Sequence, residues 1–139
     1  LLKGKVYCSW LTPSRCIGHP AFAKEFKLIL GQYNYDIIHF NNGLHGMSCK
    51  LTDYSEALEK VFKQIQKTKV IIIWRTATPL SPKARNFANG QAIIDERNIS
   101  AERLAKKYKI FIYDLSVLTR GKDGVYSDHV HYTEAGINI

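Results

Sequence analysis

The chain has 139 residues, 45% of them hydrophobic and 23% charged, with a formal net charge of +8. That is one domain of sequence with enough apolar material for a core, and no apolar run nears the roughly 20 residues that cross a bilayer. The lysines (Lys60, Lys63, Lys67, Lys106, Lys107) are scattered over helical stretches rather than clustered with aromatics, so the charge reads as a solvated surface and not as a nucleic-acid interface.

Strand-like and helix-like segments alternate along the chain. Leu1-Leu2-Lys3-Gly4-Lys5 has no signal-peptide shape; an exported parent would have lost its signal ahead of this numbering. Lys5 to Trp10 reads as a short strand. Phe22, Phe26, Ile29 and Leu30 have helical spacing over Pro20 to Leu30, and Gly31 stops that helix. Asp36 to Phe40 is a second strand, with His39 read as a hydrogen-bonded core histidine. Thr52 is placed as N-cap of an amphipathic helix carrying Leu58, Val61, Phe62 and Ile65. Lys69 to Trp74 reads as a fully buried strand with Trp74 in the core, and a loop with Pro79 and Pro82 follows. A helix over about Gln91 to Tyr108 and a strand at Ile110 to Tyr113 complete the pattern.

This alternation predicts a single α/β domain over 1–139, with a parallel sheet covered by helices on both faces. In such folds chemistry gathers at the carboxyl ends of the strands. Three polar or glycine-containing loops fall there: Thr12 to Pro20, Asn41 to Cys49, and the loop ending at His131. Cys8, Cys16 and Cys49 show neither C-x-x-C spacing nor a zinc pattern, and the odd count favours free or packed thiols. His39, His45, His129 and His131 form no known zinc-ligand spacing, so no metal is expected.

The densest chemistry lies in Ser127-Asp128-His129-Val130-His131-Tyr132-Thr133, where an aspartate precedes a histidine by three residues. A neutral imidazole accepts an alcohol proton near pH 7, provided a carboxylate fixes its tautomer and supports the imidazolium. Asp128 and His131 are therefore the candidate orienter and base, and His129 is set aside. No serine sits in a Gly-Asp-Ser or G-x-S-x-G context among Ser9, Ser14, Ser48 and Ser127. Ser14 is the best placed of them, and Cys16 is a weaker thiolate candidate.

The D-x-x-H loop, taken with Ile38 to Gly46, Val70 to Pro79, Glu96-Arg97-Asn98 and Tyr113-Asp114-Leu115, resembles the SGNH, or GDSL-type, hydrolases over Lys3 to Gly136. The resemblance implies a three-layer α/β/α, flavodoxin-like parallel sheet and a serine esterase of small-acyl or acylated-carbohydrate substrates, without cofactor or metal. It implies His131 as base, Asp128 as its partner, and a backbone donor to the oxyanion somewhere in Ser14 to Gly18. Gly43-Leu44-His45-Gly46 stands where the family has G-x-N-D, so His45 becomes the candidate oxyanion donor, with Gly43 and Asn41 beside it. Asn41 and Asn42 before Gly43 are also ordinary turn chemistry.

The family's Gly-Asp-Ser block has no counterpart here, and relatives continue past Ile139 into a closing helix. The resemblance thus implies a chain truncated at both ends, its serine upstream of Leu1, its sheet lacking a central strand, and little activity on esters by itself. Two other readings stand beside it: a non-catalytic protein on the same scaffold that binds a sugar or acyl ligand, and a basic nucleic-acid-binding module.

Overall fold

A computed structural model describes residues 4–10, 12–84 and 89–138. Leu1 to Lys3 and Ile139, which figure in the reading of the two ends, lie outside the described residues. The principal elements are α1 (Pro20–Leu30), β1 (Ile37–Phe40), α2 (Leu51–Ile65), β2 (Ile71–Arg75), α3 (Gly90–Lys107), β3 (Phe111–Tyr113), α4 (Ser116–Thr119) and α5 (Glu134–Ile137). The strands form a parallel sheet in the order β1-β2-β3, with Phe40 opposite Trp74 and Trp74 opposite Ile112. The fold is α/β, as the alternation predicts, and flavodoxin-like, as the resemblance implies.

Local chemistry explains the helix starts. His19 caps α1 by accepting the Ala21 N–H at Nδ1, 3.1 Å away, and Pro20 occupies the first turn, where its missing N–H costs nothing. Thr52 does not cap α2. That helix begins at Leu51 after Lys50, which makes no side-chain cap bond, and the Thr52 hydroxyl points to Asp53 Oδ1 at 3.4 Å instead. Thr52 already lies inside the first turn, too late to serve the orphan N–H groups.

The core forms where α1, α2 and α3 pack on one side of the sheet. Phe22 and Phe26 of α1 meet Phe40, and Phe62 of α2 meets Trp74 edge-on. Ala101 and Ala105 of α3 are fully buried, and Ser55 and Ser100 bridge α2 and α3 through their hydroxyls at 2.7 Å. Each large buried side chain here, such as Leu58, Phe62 or Trp74, contributes about 1.5–3 kcal/mol by leaving water.

The strands alternate instead of being buried on both faces. Ile72 and Trp74 point into the core, while Ile71 remains 48% exposed beside Ile37 at 51%. Phe111 on the same side is 68% exposed. The short helices α4 and α5 border that side at the carboxyl edge, around Arg75 and Tyr113. The fully buried reading of Lys69 to Trp74 is thus corrected, because an apolar run states that it is able to be buried and not what covers it. His39 falls on the same side and is exposed, not a core histidine.

Lys5 to Trp10 forms no strand: among the described residues the segment has no ladder partner, and Tyr7 and Trp10 are exposed. Local alternation permits a strand, but only a ladder partner makes one. The thiol reading is corrected too. Cys16 and Cys49 form a disulfide with Cα atoms 6.1 Å apart, leaving Cys8 as an exposed free thiol. Folding brings the loop before α1 against the start of α2, a proximity with no local signature.

Candidate active site

The loop between Val125 and α5 is held by its own backbone. Tyr126 pairs with Tyr132 across an antiparallel bridge, their rings stacked 4.9 Å apart. The Ser127 N–H donates to the His131 carbonyl at 2.9 Å, and the Thr133 N–H to Val125 at 2.9 Å. Thr133 then caps α5, accepting the Gly136 N–H at 3.1 Å. Gly136 has a specific reason to be glycine: a Cβ there would lie 2.2 Å from the Val125 carbonyl oxygen. The loop is tied to the strand ends by the Tyr126 hydroxyl donating to Pro79 and by the Ser81 N–H donating to His129, both at 2.9 Å.

Inside this frame Asp128 faces His131. Its Oδ1 accepts the backbone N–H groups of His131 at 2.7 Å and Val130 at 2.8 Å, and its Oδ2 lies 2.7 Å from His131 Nδ1. The two backbone donors, and then the imidazole, hold the Asp128 carboxyl well below the usual carboxylate range. Asp128 is therefore ionised near pH 7 and favours a proton on Nδ1, which leaves Nε2 as the basic nitrogen. The imidazole is 76% exposed, so Nε2 is open to a reacting group. The Ser127 hydroxyl, for its part, bonds the His131 carbonyl and not the ring.

At the end of β1 two adjacent asparagines divide the work. Asn42 is buried: its Oδ1 accepts the Ile17 N–H at 2.8 Å and its Nδ2 donates to the Arg15 carbonyl at 3.0 Å. It fastens the 12–19 loop to the strand end, beside the Cys16–Cys49 disulfide. Asn41 is half-buried and donates from Nδ2 to the Arg75 carbonyl. Gly43 follows with φ of 38°, and a Cβ there would lie 2.7 Å from Asn41 Oδ1, so only glycine turns the chain here. His45 sits exposed in the 3-10 turn Leu44–Ser48.

A cleft of about 360 Å³ opens at the carboxyl ends of all three strands. Asn41, Gly43, Arg75, Thr76, Tyr113 and Tyr132 are among its walls. Folding therefore gathers Asn41, Gly43 and the residue next to His131 around one space. Ser14 lines a different groove with Glu25 and Leu28, and Gly18 packs against the Asp53 carbonyl at the start of α2. The Ile17 N–H of that loop is already engaged by Asn42.

Several residues within the segments that carry the resemblance gain a structural role only on folding. Thr76 and Asp114 join at 2.9 Å across the ends of β2 and β3, and Asp114 also receives the Ser116 hydroxyl and N–H. Those donors, the Ser116 hydroxyl foremost, lower the Asp114 pKa. Asn98 on α3 pairs with both backbone groups of Ala77 at 2.8 Å, fixing the strand exit. A polar residue at a helix position facing the core is the one sequence signal that marks Asn98.

The chain matches no protein-family model and no curated protein sequence. Among solved structures it superposes on the lipase/acylhydrolase from Enterococcus faecalis with a TM-score of 0.67 and 18% sequence identity. The two chains share a fold. The match takes in 91% of this chain and 66% of that one, so this chain spans just under two thirds of that protein's length. At such identity the likeness concerns the fold, and the chemistry rests on the residues above.

Proposed function

We propose that this chain carries the acid–base part of a serine ester hydrolase of the SGNH type. The observation that supports it is the Asp128–His131 pair: an ionised carboxylate bonded at 2.7 Å to Nδ1 of an exposed imidazole, whose neighbour Tyr132 lines the cleft at the strand ends. In this reading a serine upstream of Leu1 supplies the nucleophile. His131 Nε2 takes the hydroxyl proton as Oγ attacks the ester carbonyl carbon. The C–O bond to the alcohol then breaks, and the same proton passes to the leaving oxygen. Water repeats the sequence in reverse, giving up a proton to Nε2 and releasing the carboxylic acid.

The oxyanion side falls to the loop after β1, where Asn41 and Gly43 border the cleft and His45 is the further candidate donor. In this reading the substrates are small acyl esters or acylated carbohydrates, a class the family resemblance implies, and the cleft lining mixes apolar side chains such as Leu115 and Leu118 with polar ones such as Asn41 and Thr76.

A second reading, a non-catalytic protein that binds a sugar or acyl ligand, draws on one observation: the Ser127 hydroxyl beside His131 bonds its carbonyl, and Ser14 faces another groove. A fluorophosphonate probe applied to the native protein separates the two. Labelling that disappears in the Asp128→Asn and His131→Ala variants is expected from the hydrolase. Absence of labelling in the wild type would favour the binding protein.

A further inference from the structure

α3 carries a buried cation that enters none of the ion pairs among the described residues. Arg97 is 6% exposed. Its Nε donates to the Gly46 carbonyl, its Nη2 to the Cys49 carbonyl, and its Nη1 to Ile93 within the helix at 3.2 Å. The guanidinium carbon also stands 5.7 Å from the ring centre of buried Tyr54. Burying a guanidinium is costly unless its donors are met, and here carbonyl oxygens and an aromatic face replace water.

Of the two acceptors, Cys49 caps the end of the 3-10 turn Leu44–Ser48 and Gly46 lies in its last three residues. Carbonyls at such an end have no partner within the turn and carry its partial negative charge. Arg97 satisfies them with one rigid fork, which the single ammonium of lysine cannot reproduce. The approach is close: a Cβ on Gly46 would lie 2.8 Å from the Tyr54 ring and 3.5 Å from Arg97 Cδ. Arg97 is buried and its donors are spent on the carbonyls of Gly46, Cys49 and Ile93, so it acts on the turn and not on a ligand.

We propose that Arg97 is a positioning residue for the oxyanion side of the candidate site, an inference that rests on the hydrolase reading above. By pinning the far end of the turn to α3, it sets where Asn41, Gly43 and His45 present their donors, while leaving Asp128 and His131 untouched.

The test compares Arg97→Lys, with Arg97→Met as a second variant, against wild type in the intact native protein. Turnover of p-nitrophenyl acetate, thermal melting and amide hydrogen exchange are measured on each. For Arg97→Lys, kcat should fall roughly 10- to 100-fold, as a small misplacement of oxyanion donors predicts. KM and the pH midpoint of kcat/KM should stay unchanged, because the imidazole and its carboxylate are intact. Amides 44–49 should exchange faster while the centre of α3 stays protected. Unchanged kcat in folded protein, or a loss that follows only the unfolded fraction, would overturn the proposal. Wild-type protein without turnover would remove the hydrolase reading instead; the clamp would then stand or fall on exchange, and equal rates at 44–49 would overturn it.

Discussion

Replacing Asn42 with alanine tests how the strand end and the preceding loop are joined. The side chain accepts the buried Ile17 N–H at 2.8 Å and donates to the Arg15 carbonyl at 3.0 Å. Removing the acceptor strands an N–H in a buried place, at a cost of about 1–3 kcal/mol. The Arg15 carbonyl belongs to an exposed residue and is able to take water instead, so its lost bond adds less. A total of about 2–3 kcal/mol follows, or roughly 6–12 °C in melting temperature for a domain of this size. Asn42→Asp keeps the acceptor and loses the donor, which separates the two bonds. Calorimetry with the disulfide intact reads the loss, and under reducing conditions Asn42→Ala should cost more, since the disulfide then no longer helps hold the 12–19 loop to the start of α2. A shift below about 2 °C in both conditions would refute the assignment of the clamp to Asn42.

Breaking the Cys16–Cys49 disulfide, which closes a 33-residue separation, should cost about 3–4 kcal/mol by loop-closure entropy, read as a lower melting temperature in reductant. Gly136→Ala should destabilise by about 1–3 kcal/mol through the clash with the Val125 carbonyl and should loosen the His131 loop, visible as faster amide exchange at 127–133. On the hydrolase proposal, Asp128→Asn should lower ester turnover about 10⁴-fold in protein that still unfolds cooperatively, because the neutral amide no longer favours a proton on Nδ1. Acid titration should show Asp128 and Glu59 ionised well below pH 4; Glu59, bonded by Lys107 and Tyr108, is held down to about 2. Both are depressed on folding. Their stabilisation is therefore present above the unfolded carboxyl pKa near ~4 and lost as pH falls through the folded values, which carboxyl NMR shifts would follow.

Much of the architecture is legible in the residues themselves. Helical spacing at Phe22, Phe26, Leu58 and Phe62 and the apolar runs at 37–40 and 71–74 mark elements whose type depends on neighbours a few residues away. The Asp128–His131 pair is equally local: three residues and a tight turn suffice to bring carboxylate and imidazole to 2.7 Å. Gly43 and Gly136 stand out in the sequence, although the atoms that require them, Asn41 Oδ1 and the Val125 oxygen, emerge only on folding.

What the tertiary structure alone decides are the pairings between distant segments. An alternating stretch such as Lys5 to Trp10 carries strand propensity, but whether it joins a sheet depends on a partner edge that propensity does not encode. His39 and the isoleucines of β1 and β2 show the same limit, since the period of a strand says which residues share a face and not whether a helix covers it. The Cys16–Cys49 bond, the Asn42 clamp and the Arg97 fork join residues 25 to 51 positions apart. Chain composition and spacing determined most of the elements and the Asp128–His131 loop. Only three-dimensional packing determined which loops meet, because hydrogen bonds and disulfides select partners by distance in space and not by distance along the chain.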